Sequence, residues 1–438
     1  MQASRIALAL VGLWLVTVPA TGPAEESGSA PPKGFVALFN GKDLAGWRGA
    51  TTEDPLKRLA LPPKERAEKD KASIEDIHKH WRVENGELIN DGNGLYLTTD
   101  KDYGDFELRI EYKTVPKADS GIYLRGLPQV QIWDINQPSL PTNPDRNPNR
   151  GSGGLFNNPA KSVGRDPLVV ADKPFGEWNS FRITMVGDKV TVTLNDKLVV
   201  DNAPLHNYFT KDKPPFPVGP IQLQTHGGEI RWRNVFIREI PRSLPEAGKL
   251  GGGKPAGDGW LRLLGENRLN GWNFTPEYWK VSEGVLVGDY PGGAKHEYLY
   301  STQEYGDFEL HATVKMTGDG ANSGVCIRTK PTDTDNVPGY QVDMGPGYWG
   351  CLWDERRDNM VAAYPKELAD QLVKKDDWNH YYVIARGHHV QAWLNGVQTI
   401  DVIHPRGIER GSLAFQLCHG NKRTHLQVKD LWVREFAE

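Results

Sequence analysis

Polar and apolar residues alternate along most of this chain, and they do so twice in the same order. In Asp119-Ser-Gly-Ile-Tyr-Leu-Arg125 the alternation puts Ile122 and Leu124 on one face of an extended strand and Tyr123 and Arg125 on the other. Gln129-Val-Gln-Ile-Trp-Asp134 follows. Far downstream, Asn322-Ser-Gly-Val-Cys-Ile-Arg328 and Gly339-Tyr-Gln-Val-Asp343 repeat the device. Around Phe106 another strand sets Glu107, Arg109 and Glu111 opposite an apolar row, and this polar face is expected to line the same groove as Arg125. Glu309 and His311 take the corresponding place in the second half, where they are expected to complete a basin with Arg328 and His419.

The repeat extends to turns and tryptophans. Trp81 to Leu88 answers Trp279 to Leu286, Tyr103-Gly-Asp-Phe matches Tyr305-Gly-Asp-Phe, and Leu417-Cys-His-Gly420 is set against Gln224-Thr-His-Gly227. Two copies of one domain are implied. Many short strands with hairpin turns predict an all-β chain of two tandem jelly-roll β-sandwiches. The helical pattern surfaces between Thr51 and His80, where Lys, Glu and Ala follow Pro62-Pro63. This is a short charged helical insertion in the first domain, on its surface or as a lid. The expected division is residues 1–24 as a secretory signal, 25–33 as a flexible leader, 34–240 as the first sandwich, 241–258 as a Gly/Pro linker and 259–438 as the second sandwich.

Composition narrows the class. The 438 residues exceed what one ordinary core supports. A net charge of −4, from 52 basic and 56 acidic residues well mixed, argues against nucleic acid or an anionic membrane as partner. The apolar run Ile6 to Val18 reads as an export signal, with an uncleaved anchor as the alternative, and the mature chain is expected to carry no stable membrane span. Its destination would be the periplasm, the cell surface or the medium. The three cysteines, Cys326, Cys351 and Cys418, do not make a disulfide framework or a metal spacing.

The ordered series Asp-Ser-Gly-Ile-Tyr-Leu-Arg, Pro-Gln-Val-Gln-Ile-Trp-Asp, Gly-Ser-Gly-Gly-Leu-Phe, Gly-Glu-Trp-Asn and Gln-Leu-Gln-Thr-His-Gly resembles the 3-keto-disaccharide hydrolase domain family. The second half is similar to another branch of it. The resemblance implies a concanavalin A-like lectin/glucanase fold and a carbohydrate partner. It also implies cleavage of glycosides already oxidised at sugar carbon 3, by hydrolysis or by elimination and hydration. A ketone there acidifies the C2–H, so the reaction needs a base, an acid for the leaving oxygen and a donor to the enolate. A non-catalytic, lectin-like pair is the alternative, because one fold hosts both.

For catalysis the residues offered are Arg125, Asp134 and His226 in the first domain and Arg328, Asp343 and Glu355 in the second. For substrate binding they are Asp119, Tyr123, Gln131 and Trp133, then Gln341, Trp353, Arg357 and His419. Asp119 reads equally as a turn former, and Asp134 falls off the Gln131 face by alternation. Trp349 is either a sugar platform or core. A divalent metal would stabilise an enolate, or calcium could sit structurally in loops, but no spacing demands either.

Overall fold

A computed structural model describes residues 30–138, 146–251, 253–420 and 422–436. The expected signal segment, the leader up to residue 29 and part of the long loop after Asp134 (139–145) lie outside the described residues.

Each half is a two-layer antiparallel sandwich of the concanavalin A-like type, and the two are built in the same order. In the first domain a five-stranded sheet runs Trp47–Ala50, Tyr96–Thr99, Gln222–Leu223, Ser120–Leu124, Leu127–Ile132. In the second, seven strands run Trp272–Asn273, Glu297–Tyr305, Gly411–Leu417, Ser323–Thr329, Gly339–Met344, Leu352–Glu355, Asn359–Ala362. An eight-stranded sheet backs each of them. Alternation makes the core: Ile122, Leu124, Val130 and Ile132 point inward in one copy, and Val325, Ile327, Val342 and Met344 in the other, all buried. Each such side chain contributes about 1.5–3 kcal/mol. Their neighbours therefore cover the outward face of the smaller sheet.

The tight hairpins hold the register. Asn85-Gly86 and Glu283-Gly284 both take positive φ between paired strands, as do Asn195-Asp196 and Asn395-Gly396, the geometry whose twist matches that of the flanking strands.

The insertion forms helices Pro55–Leu59 and Pro63–His80, the second beginning at the anticipated proline pair. It is more than a solvated face. Ile77 is buried in the first core, Ser73 Oγ accepts the Gly49 N–H at 3.1 Å, and the helix thereby covers the edge strand Trp47–Ala50.

Residues of the linker are ordered against the second domain. Leu250–Gly251 and Lys254–Pro255 form a small hairpin. Trp432 Nε1 donates to Gly253 O at 3.0 Å and Trp393 Nε1 to Arg242 O at 3.1 Å. Arg242 also spans the domains, donating to Asp105 of the first and, at 2.7 Å, to Asp401 of the second.

Candidate functional site

Four of the conspicuous charged candidates are structural. Arg125 is 1% exposed, and its nitrogens are all engaged: Nε with Gly104 O at 2.7 Å, Nη1 with Gly187 O and Phe216 O, Nη2 with Asp105 at 2.5 Å. Burial lowers its pKa to about 10, against the pull of Asp105. Arg328 repeats the arrangement with Gly306 O, Gly387 O and Asp307. Both arginines lock loops at the strand ends, so neither is free to meet an enolate. Asp134 accepts the N–H groups of Lys117 at 2.8 Å and Asn136 at 2.9 Å, which makes it a loop clamp. Arg357 turns to Asp354 and the Arg406 carbonyl and is not in the cavity wall described below.

The polar rows of the Phe106 and Phe308 strands are also elsewhere, because those strands belong to the eight-stranded sheets. Glu107 is paired with Arg109, Arg182 and Arg238, and Glu111 with Arg233. Glu309 is held by Arg434 and Tyr382, and His311 by His380 and Ala247 O under the linker. Trp349 stacks on Tyr381.

The remaining candidates of the second domain converge. Strand pairing Gly339↔Glu355, Gln341↔Trp353 and Cys326↔Gln341 brings Gln341, Asp343, Trp353 and Glu355 onto the outward face of the seven-stranded sheet. They line a cavity of about 540 Å³, with His419 at its rim. Sequence reading missed other members of its wall, chiefly Gln416, Cys418, His296 and Tyr348. Gln416 was findable, since Gln224 stands at the same place in the first copy. Its Nε2 donates to Tyr298 OH at 2.6 Å, and its Oε1 accepts from Gln341 at 3.2 Å. Gln341 lies across Gly324, where a Cβ would come within 2.2 Å of it. Gly324→Ala should therefore push Gln341 out of place, costing about 1–3 kcal/mol, read as a lower denaturant midpoint.

Asp343 is 4% exposed and accepts the Met344 N–H at 2.7 Å. Burial raises its pKa to about 7, with the Met344 and Gln341 hydrogen bonds pulling the other way and Glu355 adding to the rise. Glu355 is pushed up too, again chiefly by burial. Burial lowers His296 to about 4, helped by His419, and raises the Cys418 thiol to about 11. Glu355 pairs with Gly339, four residues before Asp343, so about 13 Å of strand separates the two carboxylate positions.

In the first domain Gly121 pairs with Gln131 as Gly324 pairs with Asp343. Gln131 thus occupies the place of Asp343, an amide where the second copy has an acid. It donates to Asp119 at 2.8 Å, and Asp119 also meets Arg146 at 2.9 Å and His226 at 3.3 Å. That contact with Asp119 raises the His226 pKa. Arg146, another residue the sequence did not single out, lies over the Trp133 ring. Tyr123 is buried beneath Thr52 of the insertion region, with its hydroxyl 2.8 Å from Thr52 Oγ1.

Register corrects one pairing of the repeats. Ser120 Oγ donates to Gln224 O and Ser323 Oγ to Gln416 O, so Gln224 matches Gln416. His226 is then level with Cys418, and Gly227 with His419.

Two groups of described residues have metal-ligating atoms close together: His296, Cys418 and His419, and Asp354, Asp358 and His404. The second is already neutralised by Arg357 and Arg406. A larger cavity, about 650 Å³, lies between the domains, but Asp105 and Asp401 in its wall are taken by Arg242.

The family model of the 3-keto-alpha-glucoside-1,2-lyase-like domain matches residues 34–238 and again 259–434. The chain belongs to this family. Like other 3-keto-alpha-glucoside-1,2-lyase-like proteins it is thereby placed among carbohydrate-active proteins, in two copies. A 3-keto-disaccharide hydrolase of Bacteroides thetaiotaomicron is 25% identical over 250 residues, 47% of this chain and 79% of that protein. A solved structure from Parabacteroides distasonis, provisionally assigned as a glycosyl hydrolase, is 24% identical and covers 52% of this chain and 94% of its own, with a TM-score of 0.35. The carbohydrate-binding module CBM66 of Bacillus subtilis is 14% identical over 38% of this chain and 96% of its own, at a TM-score of 0.29.

Proposed function

We propose that this is an exported protein that cleaves 3-keto-glycosides in its second domain, while its first domain holds saccharide without chemistry. The observation that carries the reading is Asp343: a carboxylate titrating near neutrality on the wall of a polar and aromatic cavity. A base of that pKa is matched to removing the acidified C2–H of a 3-keto sugar at neutral pH. Glu355, its pKa raised, stands across the cavity as the acid that gives a proton to the departing C1 oxygen. Gln341, hydrogen-bonded to Asp343 and to Gln416, fixes the wall beneath the substrate, and Trp353 and Tyr348 supply ring faces. Water then adds to the unsaturated product. The name of the Bacteroides thetaiotaomicron relative supports the substrate class. In the first domain the amide of Gln131 cannot act as a base, which favours binding there.

Incubating the folded full chain with a 3-keto-disaccharide should release both halves, followed by chromatography. Binding of unmodified glycans with no release of either product would instead support a lectin-like pair.

A further inference from the structure

We infer that His296, Cys418 and His419 form a transition-metal site, of the kind that takes zinc, at the rim of the second-domain cavity. The backbone builds it. Glu297 pairs with Leu417 at the ends of two adjacent strands, so His296 and Cys418 stand side by side just past them at the cavity wall, with His419 following at once. The spacing is that of a tetrahedral ion. With Zn–N near 2.0–2.1 Å and Zn–S near 2.3 Å, ligand atoms on a tetrahedron stand about 3.3 Å apart for nitrogen to nitrogen and about 3.6 Å for nitrogen to sulfur. Here the Nδ1 atoms of His296 and His419 are 3.4 Å apart, Cys418 Sγ is 3.8 Å from His419 Nδ1, and all three ligand atoms lie within 4.8 Å of one another; an ion would displace the His419 backbone N–H that donates to His296 Nδ1 at 3.3 Å. The donor set is one thiolate and two imidazoles, which suits zinc and cobalt far better than calcium or magnesium.

The surroundings fit a cation. Asp343 and Glu355 both act on the Cys418 sulfur, and Glu355 interacts with His419. Three protein ligands leave a fourth position, which faces the cavity and suits a water or a substrate oxygen. The first domain supplies an internal contrast, because the matching rung there holds Gly94, His226 and Gly227, a single ligand. One ion per chain is therefore expected, although the domain occurs twice. The site lies in the cavity of the proposed reaction and would give that reading a Lewis acid, yet its test uses no turnover.

The test is titration of the chelator-stripped full chain with Zn²⁺ and with Co²⁺, with metal content read by mass spectrometry. One ion per chain is expected, and the cobalt form should show a thiolate-to-cobalt charge-transfer band. Cys418→Ser should abolish that band. His419→Ala, at an exposed position where folding is tolerant, should lower affinity by more than the roughly 10- to 100-fold that loss of an outer-shell partner costs. No stoichiometric uptake by the wild-type chain, or uptake unchanged in both variants, would overturn the site and leave the two imidazoles as a simple hydrogen-bonded pair. Failure of the proposed reaction alone would leave the metal content untouched.

Discussion

On the proposed reading, replacing Asp343 by asparagine should lower turnover of a 3-keto-disaccharide by about 10²- to 10⁴-fold, the usual contribution of a positioned general base, and should make the chain more stable at pH 8. The two effects have one cause. Burial raises the Asp343 pKa from 3.8 to about 7, so the folded state favours the protonated acid more than the unfolded state does. The stability this group contributes is complete below pH 3.8 and is lost as pH rises through about 7. Asparagine cannot ionise and escapes that loss, which is at most on the order of 4 kcal/mol. Denaturant midpoints of the variant and the wild type should coincide below about pH 3.8, draw apart between there and about pH 7, and keep a constant difference above it. Wild-type turnover should rise with pH through about 7 as the base ionises. If the variant keeps full turnover, Asp343 is not the base.

The second large effect is on folding. Arg125→Ala removes the donor that three backbone carbonyls share and strips the buried Asp105 of its nearest partner. Loss of one member of a buried pair costs about 3–5 kcal/mol. In urea the transition of the first domain should move to lower denaturant, and Arg328→Ala should do the same to the second. Arg125→Lys should recover little, because a compact ammonium cannot reach carbonyls arranged around a planar fork. A variant that keeps its midpoint but loses sugar cleavage would return Arg125 to the reaction.

These expectations also show where the sequence was readable. Alternation of period two assigned Ile122 and Leu124 to the core, and Gln341 and Asp343 to one shared face, because a strand's faces follow from residue parity alone; that Trp353 and Glu355 join them needed the pairing of two strands. It could not separate an arginine that points into a cavity from one that dives beneath a loop. Arg125 just past its strand and Arg328 near the end of its own take positive φ, where parity no longer directs the side chain. Nor could it say which sheet a strand joins. Glu107 and Glu309 have the right parity on the wrong layer. The match of His226 to His419 failed because letters were aligned where hydrogen bonds set the register. Gln131 looked like a binding residue on its own terms; that it fills the place of an acid needs both copies in three dimensions.

The glycine-rich run between the domains has a practical consequence. Its hairpin and the flanking residues plug the tryptophans of the second sandwich, Trp432 through Gly253 and Trp393 through Arg242. A fragment beginning after the run would expose both indoles and lack its own lid, so the unit that can be exchanged or inherited as a working second module starts no later than Arg242.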